Sequence, residues 1–150
     1  MKKRILILLC AMALSPAVFA SGSQNFFKLH IFDNDTREIK SLLNSQVRYA
    51  NRTNFNKFIA TYDKDYVNSD GFNLETYSNL VKDVWDTYDN IVYGIKIKDI
   101  SVKDDSATVE VTETSYADIP VSSTMDGVLT SESNSIYYLK KNGGGWEKAN

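Results

Sequence analysis

The stretch LETYSNLVKDVWDTYDNIVYGIKIK, residues 74–98, changes its period partway along. Leu74, Tyr77, Leu80, Val81, Val84, Trp85 and Tyr88 recur three and four residues apart, which gathers them on one face of a helix. Asn73 precedes the run as a residue whose side chain can cap it. From Ile91 the period is two: Tyr93, Ile95 and Ile97 alternate with Gly94, Lys96 and Lys98, the pattern of a strand with one solvated face. An amphipathic helix followed by a strand must bury its stripe, and the surrounding sequence supplies the partners.

Upstream, Ile39, Leu42, Leu43, Val47 and Ala50 predict a helix over about 36–50, with Asp35 and Glu38 spaced as a capping box. Phe55, Phe58, Ile59 and Tyr62 predict a second, short and aromatic helix, with Thr53 as its N-cap. Downstream, Ile100 and Val102 resume the alternation after a phase shift at Asp99, which predicts a bulge. Asp104-Asp105-Ser106 has the chemistry of a turn, and Ala107, Val109 and Val111 then alternate with Thr108, Glu110 and Thr112. A further strand is predicted over 130–141, and Asn142-Gly143-Gly144-Gly145 turns the chain into Trp146. Helices first and consecutive antiparallel strands after them make an α+β fold rather than an alternating parallel one.

The chain has 150 residues, with 43% hydrophobic and 24% charged, which is the composition of an ordinary globular domain. Residues 1–20 carry Lys2, Lys3 and Arg4, an apolar run from Ile5 to Leu14, and the small-residue exit Ala17-Val18-Phe19-Ala20. That layout predicts an exported protein, periplasmic or secreted, with a signal peptide cleaved after Ala20. The apolar run is shorter than a spanning helix needs, and no membrane association is expected after cleavage. Cys10 leaves with the signal, so the mature chain has no thiol for a disulfide, a nucleophile or zinc. His30 is the sole histidine, which excludes a two-histidine metal motif.

Loss of the three basic residues takes the net charge from -2 to -5, which argues against nucleic acid. Lys96, Lys98 and Lys103 alternate with Asp99, Asp104 and Asp105 and read as a solvated strand face. No metal and no cofactor is called for. Residues 21–35 are read as an N-terminal segment and 36–150 as the folded domain, about the length that buries two thirds of its surface without staples.

The order of elements resembles the nuclear transport factor 2-like superfamily, which includes SnoaL-like cyclases and ketosteroid isomerases. The carrying segments are Phe58-Ile59-Ala60-Thr61-Tyr62-Asp63-Lys64-Asp65-Tyr66-Val67 with Asp70-Gly71, the aromatic third helix, the hairpin around residues 106–111, and Gly145-Trp146. The chain departs from the pattern at Asn54, where many relatives carry aspartate, and in having only four residues after Trp146. The last strand is therefore expected to be short, missing or supplied by a partner. The resemblance implies a cone-like curved antiparallel sheet wrapped around the N-terminal helices, with an apolar cavity at its open end. A homodimer formed through the outer face of the sheet is expected.

Tyr62, Tyr66, Trp85, Tyr88, Tyr116 and Tyr138 are the candidate lining of that cavity, since tyrosine offers apolar area and a hydroxyl that fixes orientation. The expected function is to bind a small, largely apolar ligand there, or to act as an interaction module with the cavity filled by side chains. The alternative is an isomerase, cyclase or hydrolase of the SnoaL type. Asp63, Asp65 and Asp118 could serve as bases if buried beside an aromatic ring, but no residue maps onto a catalytic constellation.

Overall fold

A helix with an apolar stripe has to cover a surface, and the strands that follow the third helix provide it. A computed structural model describes residues 31–120 and 127–150. The elements run α1 (Ile31–Ala50), α2 (Phe55–Ile59), α3 (Leu74–Thr87), β1 (Asp89–Lys103), β2 (Ser106–Asp118), β3 (Val128–Asn142) and β4 (Gly145–Lys148). The strands form one antiparallel sheet in the order β1-β2-β3-β4, curled into a half-barrel against the helices. This is the α+β cone that the resemblance implies. The signal segment, Cys10 and His30 lie outside the described residues.

Two helix starts differ from expectation. The first helix begins at Ile31, so Asp35 lies inside it and caps nothing. Its carboxylate accepts instead from Lys141 Nζ at 2.5 Å and Trp146 Nε1 at 3.2 Å, a clasp between α1 and the last hairpin that overrides the local signal. The second helix is capped by Asn54, whose side chain accepts from the Lys57 amide, while Thr53 takes a left-handed φ of 47° one residue earlier. The third helix starts behind Asn73 as expected, with Asn73 Oδ1 accepting from the Thr76 amide at 2.9 Å.

The register of β1 on β2 slips between Ile97 and Asp99. That bulge keeps Ile100 and Val102 packed on the same core as Ile95 and Ile97, although an unbroken alternation would turn them outward. On β2 the inward residues are Ala107, Val109, Val111, Glu113, Ser115 and Ala117. The final strand is present and short, four residues entered through Gly145 at φ 124°. Its inward residues are Trp146 and Lys148.

The interior divides along β2. At the aliphatic end, Ile39 and Leu43 of α1 pack on Ala107, Val109, Val111, Leu139 and Trp146. At the aromatic end, Ala50, Phe58, Tyr62, Tyr66, Tyr77 and Val81 form a second cluster under α3. Buried valines and leucines dominate the first, whereas the second is built from rings 4.8–5.4 Å apart with tilted or edge-on geometry.

Candidate functional site

The period that places Val109 and Val111 in the core continues to Glu113, so a carboxylate is carried inward by the same strand face. Glu113 is 6% exposed and Lys148, in phase with buried Trp146 on β4, is 8% exposed. Both face a cavity of about 40 Å³ between the sheet and α2 and α3. Phe58, Trp85 and Ile91 make its apolar side, and Tyr93, Glu113, Ser115, Tyr137 and Lys148 its polar side. Room for about three waters is what such a volume provides.

The polar side is held rigidly. The Lys148 amide donates to Thr61 O at 3.0 Å, and Lys148 O accepts from the Asp63 amide at 2.8 Å, so β4 is seated between β3 and the segment leaving α2. The Asp63 carboxylate accepts from the Asp65 amide at 2.7 Å and from Asn142 Nδ2 at 3.0 Å. Tyr93 Oη donates to Glu113 at 3.2 Å and lies 2.9 Å from Tyr137 Oη. Lys148 Nζ stands over the Tyr137 ring, 3.3 Å from its centroid, and 5.6 Å from that of Tyr62. It makes no ion pair among the described residues.

Burial sets the charge states here. It pulls the Lys148 ammonium down to about 8, against the attraction of Glu113, which holds it up. Tyr62 and Tyr137 are pushed well above the usual tyrosine range, first by burial and then by neighbouring tyrosines, so both remain neutral hydroxyls. Taking an ammonium and a carboxylate out of water costs several kcal/mol each unless close pairing offsets it, and here the two are not in contact. Ser135 Oγ on β3 is also buried without a hydrogen-bond partner among the described residues.

Of the six residues expected to line a cavity, Tyr66 and Trp85 do so. Tyr62 lies in the adjoining ring cluster, with its hydroxyl 3.1 Å from that of Tyr77. Tyr88 is buried elsewhere, against Val84 and Ala117. Tyr116 and Tyr138 are 38% and 45% exposed, out of phase with the buried residues of their strands, and stand on the outer face. Tyr116 Oη donates there to Asp118, which also accepts from Asn90 and is thereby held below the usual carboxylate range.

None of Asp63, Asp65 and Asp118 lines the cavity. Asp63 is spent on chain geometry, its carboxyl kept low by the Asp65 amide, and the Asp65 side chain is solvated. The acid that does face the cavity, Glu113, was missed, as were Lys148, Tyr93, Tyr137 and Tyr77. A readable signal existed for two of them: a charged residue in phase with a buried stripe, Val109-Val111-Glu113 and Trp146-Lys148. Among the described residues, no group of three or more His, Cys, Asp or Glu is placed to hold a metal ion.

No family model and no curated protein matches the sequence. Solved structures do match in shape. The Kfla4162 protein of Kribbella flavida superposes with a TM-score of 0.69 at 13% identity, over 79% of this chain and 88% of that one. A nuclear transport factor 2-like superfamily protein of Salmonella enterica gives 0.66 at 9% identity, over 79% and 88%. A hexachlorocyclohexane dehydrochlorinase, LinA type 2, gives 0.64 at 10% identity, over 79% and 82%. At these identities it is the architecture that is shared, and the helices, the curled four-stranded sheet and the cavity between them have the nuclear transport factor 2-like fold.

Proposed function

We propose that this domain binds a small molecule in the cavity between β2, β4 and helices α2 and α3, seating a polar head against Glu113 and Lys148 and a short apolar part against Phe58 and Trp85. The observation that carries the reading is the burial of an ammonium and a carboxylate, out of contact with each other, on one cavity. The aliphatic end shows that the chain can fill its interior with hydrocarbon, so retention of two charges at the other end points to a ligand. The polar side amends the expectation of a largely apolar ligand. Amide chemical shifts under titration with a set of small polar fragments test it. Changes confined to Glu113, Ser115, Tyr137 and Lys148 support the site, and a saturating set that moves none of them overturns it.

A second reading, a cone closed by its own side chains and acting through its surface, is favoured by the small volume and by the Tyr62–Tyr77 and Tyr93–Tyr137 hydroxyl contacts. It predicts a protein that purifies empty and ignores every fragment. The proposal further places the domain outside the cytoplasm after loss of residues 1–20, which an intact mass beginning at Ser21 checks. A homodimer through the outer sheet face is supported by exposed Val92, Tyr116 and Val128, which the register brings to one end of that face. Light scattering at the monomer mass removes that part of the proposal.

A further inference from the structure

We propose that Lys148 is a nucleophilic amine that captures a small neutral aldehyde in the cavity as a reversible imine, with Glu113 and the Tyr93–Tyr137 hydroxyl pair handling the protons. The inference rests on the ligand-binding reading above and names its ligand class.

Imine chemistry requires an amine that is neutral for part of the time, held where a carbonyl can reach it, beside a group that moves protons and away from bulk water. Lys148 meets each requirement. Its backbone is tied on both sides, to Thr61 and Asp63, and its Nζ faces the cavity over the Tyr137 ring without an ion pair among the described residues. The titratable groups that face it from the surrounding elements are Glu113 of β2, Tyr93 of β1, Tyr137 of β3, Tyr77 of α3, and Tyr62 and Tyr66 beyond α2, and Asn150 lines the same cavity. Tyr62, Tyr66 and Tyr137 are held protonated by burial. With its pKa at about 8, Lys148 is neutral in roughly a tenth of molecules at pH 7, against far less than a hundredth for a solvated lysine.

The step balances without an added reagent. The Nζ lone pair attacks the carbonyl carbon and forms the C–N bond, while the carbonyl π pair moves to oxygen. Glu113 takes a proton from nitrogen through a bridging water, since the two groups are not in contact, and the tyrosine hydroxyls pass one to the oxygen, giving a carbinolamine. A second proton on that hydroxyl lets it leave as water, the nitrogen lone pair closes the C=N bond, and the last N–H proton returns to the cluster. One amine and one aldehyde give one imine and one water. The cavity, about 40 Å³, admits a chain of only about three heavy atoms. The Glu113 carboxylate disfavours anionic carbonyl compounds, which leaves short uncharged aldehydes.

Acetaldehyde is the probe. The full chain is incubated with it at pH 7 with sodium cyanoborohydride, and ethylation of each lysine is followed by peptide mass mapping. A parallel sample without reductant is followed by amide chemical shifts. Lys148 is expected to ethylate at least about tenfold faster than the mean of the other lysines, its much larger neutral fraction being offset in part by the lower nucleophilicity of a less basic amine. Lys148→Arg keeps the charge and cannot form an imine, so it is expected to lose the fast phase of ethylation. Shifts confined to the cavity without preferential ethylation overturn the imine and leave ligand binding standing. Neither shifts nor ethylation overturns both.

Discussion

Lys141 on β3 and Lys148 on β4, two positions apart along the same ladder, both turn toward the interior, and the protein treats them in opposite ways. At the aliphatic end Lys141 pairs with Asp35, which also accepts from the Trp146 indole. Each partner favours the other's charged form: the Lys141 hydrogen bond holds Asp35 below the usual carboxylate range, and Asp35 raises Lys141. At the aromatic end Lys148 has a ring for a neighbour and no acid in contact among the described residues, and burial pulls its pKa down. The difference teaches where stability and where chemistry are invested. One end satisfies its charges and packs hydrocarbon around them; the other keeps charges poised over a cavity at a cost in stability.

The sharpest way to break the comparison is to hollow out the aliphatic end. Ile39 is fully buried among Val109, Val111 and Leu139, so Ile39→Ala is expected to cost about 3 kcal/mol in urea unfolding. A loss under about 1 kcal/mol would remove Ile39 from the core. Trp85→Ala, at the rim of the cavity and only half buried against Phe55 and Phe58, should cost less, about 2 kcal/mol. If it costs more than Ile39→Ala, the aromatic end is the true core and the division drawn here is wrong.

Smaller effects separate the two lysines directly. Asp35→Ala strands the buried Trp146 N–H and is expected to cost about 1–2 kcal/mol. Lys148→Met replaces a buried, unpaired ammonium by an apolar chain of similar length, and is expected to leave stability unchanged or raise it by about 1 kcal/mol. A clear destabilisation by Lys148→Met would mean that Lys148 is a structural cation like Lys141.

The pH dependence gives the same contrast with opposite signs. Asp35 has a folded pKa below its unfolded 3.8, so its contribution is present above that value and is lost as pH falls through the folded one. Lys148 has a folded pKa of about 8 against 10.5 unfolded, so between those values the unfolded chain binds the extra proton and stability rises with pH. Buried Tyr62 and Tyr137 oppose this above about pH 10, where unfolded tyrosines ionise first. The advantage of Lys148→Met over the natural protein is therefore expected to be full below pH 8 and to shrink by pH 10. A constant difference across that range would place Lys148 in solvent.

Much of the fold is legible because its signals are local. The stripe from Leu74 to Trp85, the cap at Asn73 and the phase shift at Asp99 are each read from neighbours within a turn or two of chain, and each appears in the structure. Where a local signal competed with a distant partner, it lost. Asp35 looks like a cap beside Glu38, but Lys141 and Trp146, more than a hundred residues on, claim its carboxylate. The candidate site was less legible for a related reason. Aromatic character marked Tyr116 and Tyr138 as lining, whereas strand parity turns them outward.

The sequence by itself determined the helices, the strands, the bulge and the α+β order, because hydrophobic periodicity and turn chemistry act between residues close along the chain. It also determined, through parity, that Glu113 follows Val111 inward and Lys148 follows Trp146. Only the tertiary structure decided that these two meet at one cavity beside Tyr93 and Tyr137. That meeting depends on the register of each strand on the next, the curl of the sheet, and the backbone bonds that seat β4 between β3 and Thr61–Asp63. Such long-range geometry is a sum over many weak contacts that no single segment encodes.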